Sequence, residues 1–319
     1  MEYRKLISCG KSSFVVTLPK SWINHHRLKK GDMIYLNENL QDLVLQPKPS
    51  ETAEKEKEIV INIDGKELKR VERETISAYI QNYRTITLLG EEVKDKAKSI
   101  EAFIQKLLAL EIMEQDSKKI VAKDFLNLKD ISVDQIVRKM DVITRSMLTD
   151  CKKMFQDNTY ESINYRDQDV NKFRFLIYRI VWCGMENPSV VLKKLNLQQL
   201  DLFNYWWVSF SIEQIADCVK RIARYMKDIK LSDKAKKDYL KILYGMENMY
   251  GEILKAYYTN NLEVAHHLAQ ERIDLIELCD KFYDQNRHVD FVGYLIYSSK
   301  SFIANANTIG RIIYQRLPG

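Results

Sequence analysis

The chain has 319 residues, 45% hydrophobic and 29% charged, with only ten glycines and five prolines. This composition excludes a collagen-like or disordered chain and fits a mainly helical globular protein with room for two or three domains. The net charge is +6, and the first 31 residues carry all of it: Arg4, Lys5, Lys11, Lys20, Arg27, Lys29 and Lys30 against Glu2.

Residues 12–18 alternate, with Phe14, Val16 and Leu18 on one side and Ser13, Val15 and Thr17 on the other, which predicts a half-buried strand. Pro19 fixes φ and removes a donor, so it ends the strand and opens a helical turn carrying Trp22, Ile23 and Leu28. Gly31–Asp32 supplies a turn, "MIYL" a second strand and "DLVLQP" (42–47) a third. A unit of fewer than 50 residues buries too little apolar area to stand alone without disulfide, metal or partner. His25 and His26 read as surface residues beside a turn.

The pattern "GKSSFVVTLPKSWINHHRLKKGDMIYL", within residues 4–46, resembles the AbrB/MazE-like (SpoVT-AbrB) swapped-hairpin domain. The resemblance implies an obligate homodimer in which two chains interlace hairpins into one barrel, with a basic face on double-stranded DNA. It places Arg4, Lys5, Lys11 and Lys20 at the family's basic positions, with Ser12 and Ser13 as donors to phosphate. A head that serves only as a charged interaction surface is the plainer alternative.

The segment "PKPSETAEKEKE" (47–58) reads as a linker. Beyond it, "EIVINI", a helix over 67–82, "TITLLG", a helix over 95–111 and a strand region over 111–125 give the order β-α-β-α-β. This predicts a small α/β module, residues 58–129, acting as a spacer or dimerisation unit. It has no glycine-rich phosphate loop.

From about residue 131 the pattern is helical, with breaks near Asp157–Asn158, "ENPS" (186–189), Leu231–Ser232, Asn260–Asn261 and Arg287–His288. A shift of 103 residues sets Phe155 on Tyr258 and Asp157–Asn158 on Asn260–Asn261. A shift of 87 sets Ile222 on Ile309 and Arg224 on Arg311. Two repeats, 130–230 and 231–319, explain both shifts. "SIEQIADCVKRIAR" and "YRDQDVNKFRFLIYRIV" resemble PhoU domains, phosphate-signalling three-helix bundles.

Together the resemblances imply a multidomain chain: a small all-β swapped-hairpin head (1–48), the α/β module, and an all-α half of two tandem PhoU-like three-helix bundles. They imply a divalent metal ion (Mg, Ca, Mn or Fe) held by carboxylates spaced i, i+4 on facing helices. Asp167, Glu213 and Asp217 match, with Asn171 in a carboxylate position. In the second repeat only Asp274 matches; Gln270, Lys300 and Ala304 hold the other places. A solvated stripe is the alternative for the first repeat, because Glu213, Asp217, Lys220 and Arg224 share one face and Asp217–Arg221 can pair. "FNYWWVSF" (203–210) reads as core packing.

The function these features imply is a cytoplasmic, DNA-binding transcriptional regulator of phosphate uptake. Its body senses a metal, a partner or a phosphate-linked state and resets the head. The alternative is an adaptor that does not bind DNA and docks on a phosphate transporter or sensor protein. No nucleophile–base pair or nucleotide loop points to an enzyme. No run of about 18 apolar residues points to membrane insertion, and no apolar leader is visible. The isolated cysteines, Cys9, Cys151, Cys183, Cys218 and Cys279, argue for a reducing compartment.

Overall fold

The computed structural model describes residues 3–38, 43–47, 56–127, 130–186, 188, 191 and 195–314. Residues 48–55 of the expected linker, Asp42 of the third predicted strand, and Asn187 and Ser189 of the "ENPS" break lie outside them. The chain divides into two units, Met1–Lys55 and Glu56–Gly319.

In the first unit, β1 (Ile7–Cys9) pairs antiparallel with β2 (Ser13–Val15), and β3 (Tyr35–Glu38) with β4 (Leu43–Gln46). These are two separate two-stranded sheets. The predicted strand over 12–18 is shorter than its alternation suggests, because its partner begins only at Ile7, which faces Val15. Gly10 turns the first hairpin at φ 75°, a backbone a side chain disfavours. Pro19, at φ −61°, closes the extended stretch, and the short helix α1 (Lys20–His25) follows.

The second unit opens with β5 (Lys57–Asn62), α2 (Leu68–Ile80), β6 (Tyr83–Leu89), α3 (Val93–Ile104), β7 (Leu110–Gln115) and β8 (Lys119–Asp124). The sheet order is β5-β6-β8-β7, with β5 and β6 parallel and the other pairs antiparallel. The helix predicted to run to 111 stops at Ile104, and the chain enters the sheet through Ala109 at φ 62°. The single strand region over 111–125 is a hairpin, because the Asp116 carboxylate accepts the Lys118 and Lys119 N–H groups at 2.8 Å and turns the chain. Ile61, Ile86, Leu88 and Ile120 of the strands bury against Val71, Tyr79, Ile100 and Phe103 of the two helices.

Among the described residues six long helices follow: α4 (Val133–Lys153), α5 (Tyr160–Glu186), α6 (Gln199–Asp228), α7 (Asp233–Thr259), α8 (Leu262–Asn286) and α9 (Val292–Tyr314). Their ends carry local signals. Ser132, Ser232 and Asn261 cap α4, α7 and α8 by accepting N–H bonds, and Asn260 ends α7 in the left-handed region. Helices α4–α6 pack mutually, as do α7–α9, and α6 packs along α9. Ile222 and Ile309, which the 87-residue shift aligned, are both fully buried. At Gly310 a Cβ would approach Ile253 Cδ1 to 2.9 Å, so glycine lets α9 press against α7. Cys151, Cys183, Cys218 and Cys279 are buried and in no disulfide; burial pushes Cys151 and Cys218 up to about 12. Among the described residues, no helix is long and apolar enough to cross a membrane.

The α/β module is fastened to α5. Phe175 and Tyr178 pack against its core. One turn on, Arg179 is buried and grips the buried Asp124 of β8 with both ends of its guanidinium, Nη1 to Oδ1 at 2.9 Å and Nη2 to Oδ2 at 2.6 Å. Arg179 also donates to Asn82 Oδ1 from Nη2 at 2.6 Å, and its guanidinium lies 4.7 Å from the centre of the Tyr79 ring. Arg84 completes the arrangement on Asp124.

Candidate functional site

The head places its basic and hydroxyl residues at turns and strand ends. Lys11 and Ser12 occupy the β1–β2 tip, Ser13 begins β2, Lys20 begins α1, and Arg4 and Lys5 lead into β1. All six are exposed. Such positions suit phosphate contacts, which need reach and a positive field but little depth. His25 and His26 are exposed, as expected, and His26 meets the Trp22 ring edge-on at 4.9 Å.

The residues proposed for metal binding do come together. Asp167, Asn171 and Arg174 lie along one face of α5 at i, i+4 and i+7; Glu213, Asp217 and Lys220 do the same on α6. The Lys220 ammonium lies between two carboxylates, 2.6 Å from Asp167 Oδ2 and 2.8 Å from Asp217 Oδ1. Arg221 pairs with the other oxygen of Asp217. Asn171 turns its amide N–H₂ toward Asp167, donating to its backbone carbonyl at 3.0 Å and to Oδ2 at 3.3 Å. Glu213 accepts from Gln214 at 2.9 Å and has Arg174 Nε at 3.6 Å. Burial pushes the Asp167 and Glu213 carboxyls up from their ordinary values.

This donor set does not fit an oxygen-ligated divalent ion. Such an ion needs several oxygens converging on one point. Here that point holds an ammonium, Asn171 offers hydrogens, and Glu213 is engaged one turn away. Among the described residues, no three His, Cys, Asp or Glu side chains gather so as to hold a metal ion. In the predicted second repeat Gln270, Asp274 and Ala304 are exposed, and Lys300 pairs with Asp280.

The aromatic run over 203–210 departs partly from expectation. Tyr205 and Val208 are buried, and the Tyr205 hydroxyl donates to Asp134 at 2.9 Å. Phe203, Trp207 and Phe210 lie on the outer face of α6, each about two-fifths exposed. The run spans more than one helical turn, so its residues point in all directions around α6. Arg174 covers part of this face, 5.2 Å from the Trp206 ring centre and 5.1 Å from that of Phe210. In comparisons with protein-family models, curated proteins and solved structures, the chain matched none.

Proposed function

We propose that the chain is a homodimeric, DNA-binding transcriptional regulator. Its AbrB-like head contacts double-stranded DNA, and its PhoU-like helical body couples the head to the state of phosphate uptake. One observation carries the reading. No head residue whose exposure is described is buried, while Phe14 is 71%, Leu36 65% and Val16 43% exposed. Among the described residues, a single copy of this unit therefore has no buried core. Each large apolar side chain covered by a partner chain would contribute about 1.5–3 kcal/mol. A second copy supplies that cover and doubles the basic surface.

The full chain is expected to sediment as a dimer, and Phe14→Asp with Leu36→Asp to sediment as a monomer with an intact helical spectrum. A dimer unchanged by both substitutions would move the interface out of the head. Fluorescence anisotropy with duplex DNA tests the second half: binding at low salt must weaken as salt rises, because phosphate contacts release counterions. A stable dimer with no affinity for duplex DNA at low salt would instead favour the adaptor that docks on a transporter or sensor protein.

A further inference from the structure

Lys220 is two helical turns from Glu213 and one from Asp217 on the same face of α6, and its side chain is 17% exposed. Its ammonium reaches across to α5. The surrounding charges balance: Asp167, Glu213 and Asp217 face Arg174, Lys220 and Arg221. Asp167 is 4% exposed, and its Oδ1 is buried without a hydrogen-bond partner. Its compensation comes through Oδ2, which holds the ammonium and the Asn171 amide. A buried carboxylate stripped of its cation is costly unless it takes up a proton, so the ammonium is what stabilises the ionised form here. The helix supplies one covalently, at a local concentration no free ion matches.

We propose that the Lys220 ammonium is the resident cation of the α5–α6 cluster, standing where a divalent ion would otherwise bind, and that this repeat is metal-independent for that reason. Two carboxylates, those of Asp167 and Asp217, still face this point. Removing the ammonium frees Asp167 Oδ2 and Asp217 Oδ1 beside the unpartnered Asp167 Oδ1, and the point between them becomes a site for an ion of the magnesium or manganese class. The proposal rests on side-chain geometry between α5 and α6 and is independent of the DNA-binding reading.

The test compares full-length wild type with Lys220→Ala by thermal melting and by calorimetric titration with manganese chloride, using potassium chloride at equal ionic strength as control. The wild type is expected to show no saturable manganese binding and no ion-specific shift in Tm. Lys220→Ala is expected to melt lower than wild type without metal and to regain Tm saturably with manganese, since an ion bound only by the folded state stabilises it. Adding Asp167→Asn to Lys220→Ala should remove that gain. Two results would overturn the proposal: saturable manganese binding by the wild type that Asp217→Asn abolishes, or a folded Lys220→Ala chain with no manganese-dependent rise. Should Lys220→Ala fail to fold, Lys220→Met keeps the buried stem and is judged by the same rise, while the wild-type titration stands without any variant.

Discussion

Arg179→Met is expected to cost about 3–5 kcal/mol of stability, the usual penalty for removing one partner of a buried ion pair. The Arg179 and Asp124 side chains are 1% and 0% exposed, so the orphaned carboxylate cannot turn to water. Asn82 Oδ1 and the face of Tyr79 lose their cation at the same time. Arg84 remains on Asp124, but it is 29% exposed and restores only part of the compensation. Urea unfolding followed by tryptophan fluorescence reads the effect, because Trp182 lies one turn beyond Arg179 on α5 and Trp206 packs on Tyr178 at 4.2 Å. Pairing the change with Asp124→Leu should recover only part of the loss, since it removes the orphaned carboxylate but leaves Arg84 without its carboxylate and the Leu126 N–H without its acceptor. A single variant within about 1 kcal/mol of wild type would show that apolar packing of Phe175 and Tyr178, not the ion pair, fastens the module to α5.

The sequence contained part of this arrangement. "RFLIYRIVW" is an apolar helical run interrupted by arginine, and a cation inside such a run signals a buried partner. Nothing in the local pattern names Asp124, which lies 55 residues earlier. The helix breaks were legible because their causes are local: Ser132, Ser232 and Asn261 cap the helix that follows them, and Asn260 adopts the left-handed conformation asparagine tolerates. The β7–β8 hairpin was missed because its turn rests on the Asp116 carboxylate with no glycine or proline to mark it. Lys220 was visible on the face of Glu213 and Asp217, and the Asp217–Arg221 pair forms as the i, i+4 spacing suggests. Helical periodicity tells which residues share a face. It does not tell whether that face meets water or another helix, so the solvated-stripe alternative includes Lys220, which in the structure bridges to Asp167. In the head, alternation predicts a half-buried strand over 12–18, but β2 is exposed on both sides in the single chain, and only pairing fixes its length: the described partner extends over Ile7–Cys9 alone.

Charge reversal at the head, Lys11→Glu with Lys20→Glu, is expected to abolish duplex binding at physiological salt. Both side chains are exposed, one at the β1–β2 tip and one opening α1, so neither holds a core together and the fold should survive. The surplus of +6 over residues 1–31 falls to +2 per chain, and a dimer loses eight units of charge. Four lost phosphate contacts per dimer would reduce the slope of log affinity against log salt by about 3–4. The residual binding should therefore be weak, with the shallower salt dependence that Arg4 and Lys5 still supply. Anisotropy titrations at several salt concentrations, with sedimentation confirming an intact dimer, separate this outcome from unfolding. Unchanged affinity and slope in an intact dimer would place the DNA surface away from the hairpin tip and α1. A parallel loss of affinity at every salt with the slope preserved would mean that the two lysines shape the head without touching phosphate.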